Sequence, residues 1–234
     1  MPFIGRTPTP VPLTSSDIPD SIITDAKIVG MTSSKLSGAL PAISGASLTG
    51  ISTDFVKIAT ASGTAQSSLS SIEIALDESY AKFLLYWNWK PETDNATLLA
   101  YLSTDNGSSY HTSSNNYKYG TDILYVNTDN VSDVDYSDGN NQIKLSKEVG
   151  NNTANGEGNS LTIDISPIMT EGSVNQSNRI TWWGTRMSDG NGIRTMIGTA
   201  TLEASYVLKV NKIKLQPGSG NIEDYFYTLY GMKQ

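Results

Sequence analysis

Cysteine is absent from this chain of 234 residues, so no disulfide can hold its fold together. Histidine occurs once, as His111 in a polar stretch, and the sequence contains no nucleophile elbow, phosphate-binding glycine loop or zinc-ligand spacing. These absences remove the common signatures of catalysis. We therefore expect a protein that is not an enzyme and that uses no cofactor.

Long apolar runs are also missing. No stretch approaches the roughly 20 apolar residues of a membrane-spanning helix, and the N-terminus lacks the apolar segment of a secretory signal. Positive charge is scarce, because 16 Lys and Arg face 23 Asp and Glu and give a net charge of −7. Nucleic-acid binding depends on Lys and Arg contacts to phosphate. The sequence thus predicts a soluble protein, made in a cytoplasm, with no membrane insertion and no nucleic-acid partner.

Turn-forming residues are abundant, whereas charged residues make up only 17% of the chain. This balance suits hairpins better than exposed amphipathic helices. From about residue 55, short segments of alternating polarity follow one another. Phe83, Leu85, Trp87 and Trp89 share one strand face, which is therefore predicted to be buried.

Ten to twelve strands of this kind predict an all-β domain over residues 55–234. The leading architecture is a jelly-roll-like antiparallel β-sandwich, and other β-sandwiches remain open because one sequence does not give the strand order. The predicted strands cover residues 56–61, 69–76, 81–90, 97–103, 123–127, 161–165, 179–186, 195–203, 212–215 and 222–232.

Residues 1–54 differ from the rest, because their aliphatic residues stand singly or in pairs within a Ser-, Thr-, Gly- and Pro-rich chain. Such a segment removes too little apolar area from water to fold alone. We expect an extended, low-complexity stalk that anchors the protein and pairs with sister chains, the alternative being a disordered linker. The predicted anchoring residues are Phe3, Ile4, Pro8, Pro10, Pro12, Ile18, Ile22, Ile23, Ile28, Leu36, Leu40, Ile43, Leu48 and Ile51.

Aromatic residues that the core does not obviously need could form a sugar-binding platform. The adjacent Trp182 and Trp183 must point to opposite sides of a strand, so at most one is readily buried. Packing or subunit contacts are the alternative role for such rings. The candidates are Tyr86, Tyr110, Tyr117, Tyr119, Tyr125 and Trp183.

A cluster of acidic residues offers oxygen ligands of the kind that calcium prefers. Its members are Asp129, Asp133, Asp135 and Asp138. The spacing does not fit an EF-hand, because the glycine falls one place late and Lys144 stands where the bidentate Glu belongs. A solvated turn region is therefore the preferred interpretation, and no metal site is predicted.

Several short phrases stand out along the chain, namely MPFIGR at residues 1–6, ITDAKI at 23–28, LPAISGASLTGI at 40–51, YLSTDNG at 101–107 and the ending at 219–233. These phrases resemble those of fibre and appendage proteins of tailed bacteriophages. The resemblance implies a virion structural protein, commonly a homotrimer, anchored to other virion proteins by its N-terminal arm. It supplies no catalytic residues.

The expected function is therefore a non-enzymatic tail or head fibre protein, located in the virion, whose β head projects outward for host attachment. One alternative is a carbohydrate-binding module that recognises a cell-surface glycan. Another is a polysaccharide depolymerase, which would need paired carboxylates in one groove. Asp164, Glu203 and Asp224 are the candidates for such a pair.

Overall fold

The computed structural model describes residues 55–125, 132–152, 157–172, 177–188, 192–203 and 208–233. The predicted stalk, residues 1–54 with all its anchoring residues, lies outside the described residues. Regular structure within the described ranges consists of twelve strands, and no helix there could span a membrane. The strands are β1 (Phe55–Gly63), β2 (Ile72–Ala75), β3 (Tyr80–Pro91), β4 (Ala96–Ser103), β5 (Tyr117–Tyr125), β6 (Ser132–Asn140), β7 (Ile143–Val149), β8 (Gly158–Ser166), β9 (Arg179–Ser188), β10 (Gly192–Leu202), β11 (Lys212–Pro217) and β12 (Ile222–Lys233).

The strands form two antiparallel sheets, as the predicted all-β sandwich requires. The larger sheet has eight strands in the order β1-β12-β3-β8-β9-β10-β5-β6, and the smaller has four in the order β2-β11-β4-β7. If β5, β6, β9 and β10 are set aside, four strands remain in each sheet. The chain then crosses between sheets at every step except β4 to β7, which are neighbours in the smaller sheet. This connectivity is that of a jelly roll.

The remaining four strands are two insertions into the jelly roll. One inserted pair, β5 and β6, lies between β4 and β7 in the chain, and the other, β9 and β10, lies between β8 and β11. The two insertions meet where β10 pairs with β5, and β9 joins them to the frame by pairing with β8. They therefore extend one sheet to eight strands without changing the order of the jelly-roll strands.

The core lies between the sheets and is built by strand alternation. In β3 the predicted face is buried, with Phe83, Leu85 and Trp87 at 0% exposure. The ring of Trp87 stacks against Tyr225 and Tyr227 of β12, with centroids 6.3 and 6.2 Å apart. Such stacked aromatic pairs add to the stabilisation from area burial.

Strands β6 and β7 are the main elements that the sequence did not predict. The segment that forms β6 is rich in Asp and Ser, which normally mark turns, but it pairs with β5 along the edge of the large sheet. Tertiary pairing thus overrides local preference, as is usual for strands. Asp135 of β6 turns towards β7, where Lys147 and Lys144 lie 3.1 and 3.7 Å from its carboxylate.

Candidate binding surface on the large sheet

The outer face of the large sheet, which is turned away from the smaller sheet, carries several exposed apolar side chains. Their positions follow from strand alternation, because neighbours of buried residues point outward. Trp182 of β9 is fully buried, whereas Trp183 is 44% exposed. The exposed apolar residues on this face are Phe55, Tyr86, Val134, Tyr136, Trp183, Ile193, Ile197 and Phe226.

Two of these aromatic residues lie in one row across neighbouring strands. The strand register places Tyr86 of β3 beside Thr162 of β8, and Thr162 beside Trp183 of β9. With strands about 4.8 Å apart, the Tyr86 and Trp183 backbones are about 10 Å from each other. Tyr86 also packs edge-on against Tyr230, with ring centroids 6.0 Å apart. We call Tyr86, Thr162 and Trp183 the aromatic row.

A cleft of about 500 Å³ lies beside the aromatic row, towards the end of the sheet where β12 begins. Its outward-facing floor consists of Asn88, Ser160 and Thr185, which are cross-strand neighbours on β3, β8 and β9. Phe226 of β12 is paired with Asn88 and forms one side wall. Ile193 of β10 lines the other side. The cleft thus has a polar floor between an aromatic and an aliphatic wall.

Gly158 at the start of β8 lines the end of this cleft near Lys90. Its φ of +145° is an angle that side-chain-bearing residues rarely adopt, and an added Cβ would lie 3.1 Å from the Trp89 carbonyl oxygen. A residue with a side chain here would fill space between Lys90 and Met187, which also line the cleft. The glycine is therefore part of the shape of the site.

The cationic group at this end is held by carboxylates. The Lys90 ammonium is largely buried and lies 2.8 Å from the Glu223 carboxylate and 3.5 Å from that of Asp224. Burial lowers the pKa of Lys90, but the hydrogen bond and charge of Glu223, with Asp224, outweigh it, so the pKa is raised on balance. Lys90 therefore stays charged and paired at neutral pH.

A second ion-pair network supports β9 from the inner side. The carboxylate of Glu148 lies 2.6 Å from Arg194 and 3.4 Å from Arg186, whose side chain is fully buried. The hydrogen bond from Arg194 lowers the pKa of Glu148 against the opposing effect of burial. The Gly150 amide also donates to the Met187 carbonyl at 3.0 Å, which ties the end of β7 to β9 beneath the cleft.

The predicted platform residues do not form one site. Tyr86 and Trp183 share the outer face, as described. Tyr117 and Tyr119 are buried in the core, so their assignment to an exposed platform was wrong; each occupies an inward position of β5. Tyr110 lies elsewhere, under the Lys214 ammonium at 4.4 Å from its ring centre. The side chain of Tyr125 lies outside the described residues.

The two described side chains of the acidic cluster, Asp135 and Asp138, are not brought together. Asp135 pairs with lysines on β7, whereas Asp138 pairs with Lys118 at 3.0 Å and is largely exposed. Asp129 and the side chain of Asp133 lie outside the described residues. Among described residues, no group of three metal-ligating side chains is close enough to hold an ion.

The three candidate carboxylates for polysaccharide cleavage are likewise separated. Asp164 pairs with Leu84 and Asp224 with Lys90, six residues apart on β3, which corresponds to about 20 Å along the strand. Carboxylates that cleave a glycosidic bond together lie within roughly 10 Å. Asp164 is also engaged by Lys82 at 2.6 Å, and Glu203 lies 3.8 Å from Lys118.

Sequence reasoning missed Phe226, Ser160 and Thr185 as members of a site. Asn88 alternates with the residues predicted to be buried in β3 and therefore belongs to its outward face, but no sequence signal links it to the other three. The linking signal is the cross-strand register, because β12 and β3 are distant in sequence from each other and from β8 and β9, and the four strands become neighbours only in the sheet. No family model matches the chain, no curated protein matches it, and no solved structure matches it.

Proposed function

We propose that this protein is a non-enzymatic attachment protein of a tailed-bacteriophage particle. In this proposal the β-sandwich head presents the outer face of its large sheet to a host-cell glycan. The observation that carries the proposal is the exposed aromatic row beside a polar cleft, since Tyr86 and Trp183 are not needed to fill the core. Exposed aromatic rings next to hydrogen-bonding groups are a common arrangement at ligand sites.

In this proposal, residues 1–54 anchor the protein to the particle. Their phrases at residues 1–6, 23–28 and 40–51 resemble those of phage appendage proteins. We propose that residues 1–54 dock on another virion protein and associate with two sister chains. Trimer formation would bury scattered Ile and Leu side chains that one copy leaves in water.

Two measurements test the virion role. Immunogold labelling with antibodies against the full-length chain should decorate particles of the phage that encodes it, at the tail or at the head. Light scattering of the full-length chain should give the mass of a trimer. Particles that carry no label would refute the virion role, and a stable monomer would refute assembly through the sister chains.

The attachment role has its own test, which is competition of adsorption. The purified full-length chain should reduce phage adsorption to host cells, and a Tyr86→Ala/Trp183→Ala double variant should compete less well. A Leu208→Ala variant is the matched control, because it removes a side chain that is 49% exposed but lies outside the strands of the large sheet. Equal competition by all three proteins would exclude the aromatic row from attachment.

A further inference from the structure

We infer that the cleft between Phe226 and Ile193 binds a neutral sugar residue. The inference deepens the proposed attachment function and depends on it, because it names the site and the chemical class of ligand on the same face. It concerns residues that lie next to the aromatic row but are not part of it. The volume of about 500 Å³ falls within the usual range of small-molecule sites.

The shape of the cleft suits a ring-shaped ligand with one apolar side. Its walls belong to β12 and β10, which are four strand spacings or about 19 Å apart, so one sugar ring contacts a single wall and the floor beside it. Phe226 is 46% exposed and lines the cleft as one of these walls. A pyranose has a face of C–H groups that packs on such a ring while its hydroxyl groups point away from it.

The floor supplies hydrogen-bonding groups for those hydroxyls. The amide of Asn88 both donates and accepts, and so do the hydroxyl groups of Ser160 and Thr185. All three side chains are exposed, and none makes a hydrogen bond to another residue within the described ranges. Three adjacent strands thus present both donors and acceptors to the same space, which matches a ligand whose groups are themselves donors and acceptors.

The charges favour a neutral ligand over an acidic sugar. Both cations among the lining residues are engaged by carboxylates, Lys90 by Glu223 and Asp224, and the buried Arg186 by Glu148. Asp224 adds a partly exposed negative charge at the same end. An anionic sugar would therefore meet a carboxylate without gaining a new ion pair, whereas a neutral sugar pays no such electrostatic penalty.

Ligand-observed saturation-transfer NMR on the full-length chain tests the inference. The probes are the methyl glycosides of glucose, galactose, mannose and N-acetylglucosamine, with glucuronic acid and sialic acid as the anionic arm, all at millimolar concentration. At least one neutral glycoside should bind, and neither acid should. Thr185→Val should weaken that binding by about threefold or more, as expected for a lost hydrogen bond, and Phe226→Ala should weaken it further.

Two control variants test whether an effect on binding is specific to the cleft or common to the outer face of the sheet. Thr181 lies on the same strand and face as Thr185, about 13 Å away, so Thr181→Val should leave binding unchanged. Phe55 of β1 is 47% exposed, about the same as Phe226, so Phe55→Ala is the control for the aromatic ring. Circular dichroism should give the same spectrum for all four variants, because each replaced side chain is exposed.

Four outcomes would overturn the inference. They are no binding of any neutral glycoside, binding of the acids alone, neutral-sugar binding that survives both cleft variants, and a change in oligomeric mass caused by Phe226→Ala, which would make this surface a contact between copies. The virion role is tested separately, because unlabelled particles would refute it whatever the sugar result. Labelled particles with no sugar binding would refute the cleft alone.

Discussion

The two faces of the large sheet carry the same residue types in different surroundings. On the inner face, Trp182 is fully buried, and on the outer face its neighbour Trp183 is 44% exposed. The inner ring packs over Gly198 of β10, whose missing side chain makes the space. The outer ring lies beside Thr162 and Ile197, with solvent above it. Position on the pleat, and not residue type, separates a core residue from an exposed residue.

Replacing Trp182 and Trp183 in turn should give the largest difference in stability between the inner and the outer face. Trp182→Ala removes a fully buried ring and should lower the free energy of unfolding by about 3–5 kcal/mol. Trp183→Ala should change it by no more than about 0.5 kcal/mol, because the ring is exposed. Urea denaturation of both variants measures the difference. Equal losses would show that the outer ring is packed in solution.

Two glycines on adjacent strands, Gly198 and Gly120, give a second comparison of the inner and the outer face. A Cβ at Gly198 would meet the Trp182 ring and would lie 3.0 Å from the Gly120 carbonyl oxygen, so Gly198→Ala should cost about 1–3 kcal/mol. A Cβ at Gly120 meets no described atom within 4 Å, so Gly120→Ala should be neutral or stabilising by about 0.5 kcal/mol. Thermal unfolding midpoints distinguish the two, and equal destabilisation would contradict the packing described.

Ion pairs on the outer face should contribute more to stability where their charged groups are more buried. Glu223→Gln weakens the pairing of the largely buried Lys90 and should lower stability by about 1 kcal/mol. Asp164→Asn breaks the more exposed pair with Lys82 and should cost about 0.5 kcal/mol or less. Urea denaturation at low and high salt checks both values. A larger loss of stability for Asp164→Asn than for Glu223→Gln would contradict this dependence on burial.

The smallest expected effect is a pH dependence from an inward-facing tyrosine. Burial, with a further contribution from the Asp135 charge, raises the pKa of Tyr119 to about 12. A raised folded-state pKa contributes stability that is complete below pH 10, near the unfolded value, and is lost as the pH rises towards 12. Tyr119→Phe should therefore flatten the decline of the unfolding midpoint between those pH values. If the unfolding midpoint of the variant falls as steeply as that of the unchanged protein, the decline comes from other titrating groups.

Sequence periodicity predicted the strand faces well where one side of the strand is apolar. The alternation in β3 and the opposite placement of Trp182 and Trp183 are confirmed. It failed for β6, because this edge strand is rich in Asp and Ser, and its two apolar residues, Val134 and Tyr136, lie on the exposed outer face and not in the core. It also failed for Tyr117 and Tyr119, whose inward position depends on β5 pairing between β10 and β6.

By itself the sequence determined that the chain forms short strands from about residue 55 onward and which side of most strands is apolar, since both follow from local residue order. The tertiary structure alone decided which strands are neighbours. That choice placed Asn88, Ser160, Thr185 and Phe226 side by side, although they come from four separate segments. The reason is physical: strand faces are set by a period of two within a segment, whereas a site across a sheet is set by hydrogen bonding between distant segments.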